Sequence, residues 1–145
     1  MITELTWLLV NISTLNCNEV CKILVTSKDE IITASSNIID IANFDTFFKV
    51  KKNREVIDNL IWFYCNLLAE ELENSETDGQ SELILSERVS SKILNDTCFL
   101  EVIRLIIAGC KINSKEVNLI KTIIWGMKNT CLHANFVVKC PLNIQ

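Results

Sequence analysis

The sequence predicts an all-α protein that folds as a single domain over residues 1–145. Hydrophobic residues make up 49% of the 145 positions, which is enough apolar material for one buried core. Only three glycines and one proline are present, too few turn formers for the hairpins of a β-sandwich or barrel. Apolar residues instead recur every three or four positions along most of the chain, as in amphipathic helices.

In the first half, this periodicity predicts a long helix followed by a short, a middle and a second long helix. Leu5, Leu8 and Ile12 mark a helix near residue 1 that has no capping residue before it. Two further helices are predicted at 18–25 and 28–42, the first of them short. Residues 43–53 break the pattern, and residues 54–73 restore it as the longest and most regular helix.

The second half repeats this order after an acidic stretch. Residues 70–82 contain six acidic side chains together with Gly79, so we expect a solvated loop there. Helices are then predicted at 86–94, 99–110 and 115–132, again short, middle and long. A repeated order of this kind is typical of an α-solenoid, here with about two and a half to three repeats.

Each predicted long helix carries a tryptophan followed four residues later by an asparagine. The pairs are Trp7–Asn11, Trp62–Asn66 and Trp125–Asn129. Residues i and i+4 lie on one face of a helix, so each helix would present an indole beside an amide. An amide can bond both N–H and C=O of a peptide backbone, and indole faces attract Lys and Arg side chains. The pattern favours binding of an extended basic peptide, which suits a net charge of -4.

These helices resemble the third helices of the armadillo repeats of importin-alpha, which carry a W-x-x-x-N array. Asn59, three residues before Trp62, matches a polar residue of that family. Glu70, four residues after Asn66, matches an acid that contacts a signal lysine. The resemblance implies an armadillo-type α-solenoid and an adaptor for Lys/Arg-rich nuclear localisation signals. It also implies nuclear protein import and a location in cytoplasm and nucleus.

The chain departs from the family pattern at several points. Its tryptophans are 55 and 63 residues apart, against about 40–47 residues for armadillo and HEAT repeats. Leu15 and His133 stand four residues after Asn11 and Asn129, where an acid is expected. No basic importin-beta-binding arm is visible, so importin-beta is a partner only for a longer chain. We therefore expect a divergent or truncated member of the family.

Other classes of function find little support in the sequence. The seven cysteines are scattered through apolar segments without paired CxxC spacing, which predicts small buried residues rather than disulfides or a metal site. His133 has no nucleophile motif around it, so neither catalysis nor a cofactor is expected. The acidic balance disfavours nucleic acid as a partner. No apolar run reaches the ~18 residues of a membrane span, and no secretory signal is recognisable.

One alternative remains open within the same fold class. A generic armadillo-like or HEAT-like scaffold would bind a folded protein and would have no gaps between indoles that hold lysine side chains. Its asparagines would hydrogen-bond neighbouring helices, and its tryptophans would belong to the core. The positions of the three indoles distinguish the two interpretations.

Overall fold

The computed structural model describes residues 1–15, 19, 23, 31–69, 79–109 and 116–132. For residues 79–87, 116 and 129–132 it describes the backbone alone. All regular secondary structure in these ranges is helical, and they contain no strand. The prediction of an all-α protein is therefore confirmed.

Seven helices are described, and four of them match predicted helices closely. They are α1 (Ile2–Ser13), α2 (Ile31–Ser36), α3 (Phe44–Lys49), α4 (Lys51–Ala69), α5 (Gly79–Asp96), α6 (Phe99–Gly109) and α7 (Glu116–Leu132). The predictions for the first helix and for 54–73, 99–110 and 115–132 correspond to α1, α4, α6 and α7. The predicted helix at 18–25 lies outside the described residues, apart from Glu19 and Ile23.

The prediction of a helix to residue 42 was wrong, because α2 ends at Ser36. The hydroxyls of Ser35 and Ser36 donate to carbonyls three residues earlier, at 2.7 and 2.9 Å. Side-chain bonds of this kind compete with the helix ladder. Beyond them, Asp40 accepts a hydrogen bond from the backbone N–H of Asn43 at 3.1 Å, which holds the chain in a turn.

The predicted break at 43–53 was also wrong, since this segment contains α3 and the start of α4. Phe44 is buried and stacks on Phe48, with ring centroids 5.5 Å apart. These rings are four residues apart and therefore share a helix face. The contact gives this short helix an apolar anchor.

The loop predicted for the acidic residues 70–82 does not extend to residue 82. Helix α5 begins at Gly79, so residues 79–82 are helical, and residues 70–78 lie outside the described part of the chain. The predicted short helix at 86–94 is thus the second half of an 18-residue helix. Good helix formers such as Gln80, Glu82 and Leu83 extend it towards its N-terminus. The repeating order of short, middle and long helices does not hold here.

Helix α4 is at the centre of the fold and packs against both α1 and α7. Its buried residues are Val56, Ile57, Leu60, Ile61, Phe63, Tyr64, Cys65, Leu67 and Leu68. The hydroxyl of Tyr64 lies 2.7 Å from Ser35 Oγ, and its ring meets Phe99 edge-on at 5.7 Å. Burial raises the pKa of this phenol. Tyr64 therefore ties α4 to α2 and α6.

Candidate functional site

Two hydrogen-bond pairs set the register between α1 and α4. The amide nitrogen of Asn59 donates to Thr6 Oγ1 at 3.1 Å and to the carbonyl of Thr3 at 3.3 Å. The amide nitrogen of Asn66 donates to Ser13 Oγ at 3.0 Å. Thr6–Asn59 and Ser13–Asn66 are both 53 residues apart in sequence, so the two helices run parallel.

All three tryptophans point away from the core. Their exposed fractions are 61% for Trp7, 46% for Trp62 and 41% for Trp125. Each lies two residues, about 200° around its helix, from a side chain that packs in the core. Those core side chains are Leu9, Leu60 and Ile123. The indoles therefore share the outer side of the layer formed by α1, α4 and α7, which we call the tryptophan face.

The first tryptophan is nearly level with the second. Trp7 and Trp62 are 55 residues apart, whereas the hydrogen-bonded register of their helices is 53. The difference of two residues shifts Trp7 by about 3 Å along the helix axis. Exposed indoles are thus arranged across the three helices α1, α4 and α7.

The second and third tryptophans touch each other. The ring centroids of Trp62 and Trp125 are 6.2 Å apart, with the ring planes at 48°. A lysine stem held between two rings needs about 7–8 Å, twice an ordinary carbon contact distance. No slot of that width separates these two rings. They form one continuous aromatic surface instead.

The described asparagine amides of the predicted site form hydrogen bonds within the protein. Asn59 and Asn66 donate to α1, as described above, and Asn11 donates to the carbonyl of Trp7 at 2.9 Å in its own helix. Glu70 and the side chain of Asn129 lie outside the described residues. The interhelical bonding that the scaffold interpretation expects is what Asn59 and Asn66 show.

Two acidic side chains outside the predicted site lie beside Trp62. Asp58 is one helical turn before it and Glu55 nearly two turns before it, and both are exposed. Loss of water around its carboxyl raises the pKa of Asp58 to about 6, and the Glu55 charge adds to this rise. The charge of Arg54 opposes it. A search of α4 for carboxylates one turn from each tryptophan would have found Asp58.

Contact between Trp62 and Trp125 depends on a close approach of α7 to α4. A Cβ atom on Gly126 would clash with Cys65 Sγ and lie 3.1 Å from Cys65 Cβ. The same thiol donates to the carbonyl of Thr122 at 3.6 Å. Glycine inside a helix is a signal of close packing, and here it brings Trp125 to Trp62.

The described cysteines are packing residues. Cys65 is completely buried, and burial raises the pKa of its thiol to about 12. The thiol of Cys98 is partly buried and donates to the carbonyl of Ser36 at 3.5 Å. The prediction of a buried small residue is confirmed for Cys65. The side chains of the other five, and His133, lie outside the described residues.

Two further kinds of feature are absent from the part of the chain that the structure describes. There, no three His, Cys, Asp or Glu side chains come together in a way that could hold a metal ion. Likewise, none of the described helices combines the length and apolarity needed to cross a membrane.

Comparison with known proteins returned no relative. The chain matches no protein-family model, no curated protein and no solved structure. The tryptophan face is therefore the feature of this chain from which a function can be inferred.

Proposed function

We propose that this chain is a non-enzymatic, armadillo-like α-solenoid adaptor that binds extended Lys/Arg-rich peptides on its tryptophan face. One observation carries the proposal. Trp7, Trp62 and Trp125 lie on three neighbouring helices, point away from the core and keep 41–61% of their surface exposed. Monomeric proteins bury most of their large aromatic residues, so an exposed group of indoles indicates a binding surface.

The chemistry of the face favours cationic side chains. A Lys or Arg head over an indole gains about 0.5–2 kcal/mol, depending on how far it is desolvated. Carboxylates of Glu55 and Asp58 stand beside Trp62 and supply opposite charge. Since the Trp62 and Trp125 rings touch, we place the lysine stems across the joined indole surface rather than between its rings.

The resemblance to importin-alpha extends the proposal to a cellular role. In that role the ligands are nuclear localisation signals, and the chain acts in protein import between cytoplasm and nucleus. The repeated Trp–Asn spacing in the sequence and the exposure of the three tryptophans support this extension.

A second candidate is a scaffold that docks a folded protein. It is favoured by the amides of Asn59 and Asn66, which bond to α1 rather than facing a ligand. In this case the Trp62–Trp125 surface covers an apolar patch of the partner, and charge on the partner has little influence.

Fluorescence anisotropy separates these two candidates. A labelled lysine-rich peptide is titrated with the protein at moderate salt, beside a peptide in which alternate lysines are threonine. We expect only the lysine peptide to bind, and Trp62→Ala to weaken binding about tenfold or more because it removes the central indole. Ile107→Ala is the matched control, since Ile107 is 59% exposed on α6, away from the tryptophan face.

Circular dichroism of the variants shows whether a loss of binding is caused by unfolding. Trp62 is exposed, so Trp62→Ala should keep the helical signal of the parent protein. Equal, weak binding of both peptides with a steep salt dependence would contradict the proposal, because raw charge attraction gives that result. Binding that Ile107→Ala weakens as strongly would contradict it as well.

Binding of a basic peptide should weaken as the pH falls through 6. The pKa of Asp58 is raised from 3.8 to about 6, so its carboxylate becomes neutral between pH 7 and pH 5. Neutralisation removes one negative charge beside Trp62 and lowers the affinity for a lysine peptide. Anisotropy titrations at pH 7.5 and 5.5 measure this change, and Asp58→Asn should flatten it.

The raised pKa of Asp58 also predicts how the stability of the protein changes with pH. Between pH 3.8 and about 6 the folded state binds more protons at Asp58 than the unfolded chain does. The contribution of Asp58 to stability therefore falls as the pH rises through this window. Urea denaturation of the parent protein and Asp58→Asn at pH 5 and pH 7 reports it. A difference that grows in the parent protein's favour at pH 7 would be inconsistent with the raised pKa.

A further inference from the structure

The outer edge of α1 is apolar with an acidic end. Leu8 lies two residues, about 200°, from Thr6, which contacts α4, so Leu8 points away from α4. Leu5 and Glu4 are three and four residues before Leu8 and share its side of the helix. Leu5 and Leu8 are 54% and 50% exposed. Two exposed leucines at this spacing form a contiguous apolar strip.

Glu4 is the carboxylate of this edge, and a hydrogen bond from the Met1 ammonium, together with the charges of that ammonium and of Lys52, lowers its pKa. Its carboxylate forms an ion pair with the N-terminal ammonium of Met1, but 76% of the Glu4 side chain stays exposed. A pair so exposed contributes little stability and leaves the carboxylate open to other cations. We call Glu4, Leu5 and Leu8 the acidic edge.

The opposite end of the layer is the outer edge of α7. Thr122 and Gly126 both face Cys65 of α4, and Ile124 lies two residues from each of them. Ile124 therefore points away from α4 and is 60% exposed. Lys121 and Lys128, three residues before and four after Ile124, share its side and are exposed. We call Lys121, Ile124 and Lys128 the basic edge.

We propose that copies of this chain associate head to tail, with the acidic edge of one copy packed on the basic edge of the next. Leu8 and Ile124 form the apolar centre of this contact, and Glu4 pairs with Lys121 or Lys128. The partner is a second copy because the exposed Glu4 carboxylate of one edge can pair with the exposed lysines of the other, and both edges have an aliphatic centre. The contact places α7 of one copy beside α1 of the next, which continues the helix layer.

This contact is heterologous, since two different surfaces meet. A heterologous contact leaves one free edge on each end of a dimer, so growth continues into a ring or an open chain. Blocking one edge in each of two variants ends growth at a single heterodimer. In an isologous contact both copies would use the acidic edge, so Leu8→Arg would lose the association and Ile124→Glu would keep it.

Sedimentation velocity of the full chain over a range of concentrations tests the proposal. The parent protein should shift to larger species as its concentration rises. Leu8→Arg and Ile124→Glu should each be monomeric, because each places a repelling charge at the centre of one edge. An equimolar mixture should form a 1:1 dimer through the unaltered basic edge of Leu8→Arg and the unaltered acidic edge of Ile124→Glu.

Ile107→Arg is the matched control, since Ile107 is similarly exposed on α6 and should leave the association unchanged. Circular dichroism verifies that every variant is folded. Three results would overturn the proposal: a parent protein that stays monomeric at all concentrations, association lost in Leu8→Arg but kept in Ile124→Glu, or a mixture that remains monomeric.

Discussion

Gly126→Ala is expected to destabilise the protein by up to about 2 kcal/mol, although alanine is the better helix former. The new Cβ would clash with Cys65 Sγ in a fully buried contact. Overpacking of this kind costs about 1–3 kcal/mol, and helix propensity returns only about 1 kcal/mol. Gly126→Val should cost more, because its branched side chain cannot turn away. Chemical denaturation measures both effects.

A matched glycine and a double-mutant cycle locate the cause. Among the residues that the structure describes, no atom lies within 4 Å of a Cβ added at Gly109, so Gly109→Ala in α6 should be neutral or stabilising. Cys65→Ala removes the clashing sulfur, so Gly126→Ala should cost less in that background, with a coupling of about 0.5–3 kcal/mol. If Gly126→Ala stabilises the protein as Gly109→Ala does, α7 does not approach α4 as closely as described.

Gly126→Ala should also alter the tryptophan face. The ring centroids of Trp62 and Trp125 are 6.2 Å apart in the parent protein. Displacement of α7 from Cys65 would move Trp125 away from Trp62. Peptide affinity should fall together with stability in Gly126→Ala, and both should recover in the variant that also carries Cys65→Ala. This links the packing of the core to the binding surface.

Sequence periodicity predicted the helices that carry the tryptophans but not the partners of their side chains. Trp7, Trp62 and Trp125 were expected on exposed faces of long helices, and all three are found there. Gly126 could be recognised only as a weak point in a helix. Its partner Cys65 is about 60 residues away in sequence, and no local pattern reveals such a contact. The resemblance to importin-alpha and the solenoid arrangement remain predictions.

The shorter helices were predicted less accurately for a different reason. Helix α3 is anchored by Phe44 and Phe48, a six-residue signal too short for a periodicity to show. Helix α2 ends where the hydroxyls of Ser35 and Ser36 donate to backbone carbonyls three residues earlier, although isoleucines continue the apolar pattern beyond them. Tertiary contacts and side-chain bonds override propensity in such segments.

The asparagines show how a correct spacing can still mislead. Four residues advance about 400° around a helix, so Asn66 lies about 40° away from Trp62 on the circumference. That rotation is enough to direct its amide to Ser13 of α1 while the indole faces solvent. A pattern at i and i+4 places two side chains near each other, but the neighbouring helix decides what each of them binds.

Asn59→Ala and Asn66→Ala should therefore loosen α1 from α4. Asn59 makes two hydrogen bonds to α1 and Asn66 makes one, and both amides are partly buried. A hydrogen bond of this kind contributes about 0.5–1.5 kcal/mol, so the double variant should lose about 2–3 kcal/mol. Hydrogen exchange should accelerate throughout α1 while the core of α4 keeps its protection.

Asn11→Ala is the matched control for Asn59→Ala and Asn66→Ala. Asn11 belongs to the same Trp–Asn pattern, yet its amide bonds to Trp7 of its own helix at an exposed site. Its removal should change stability by less than about 0.5 kcal/mol. If Asn59→Ala and Asn66→Ala are equally mild but abolish peptide binding, the amides serve the ligand. If they destabilise α1 and binding falls only in proportion, the indoles and carboxylates of the tryptophan face carry recognition while the amides hold the helices that display them.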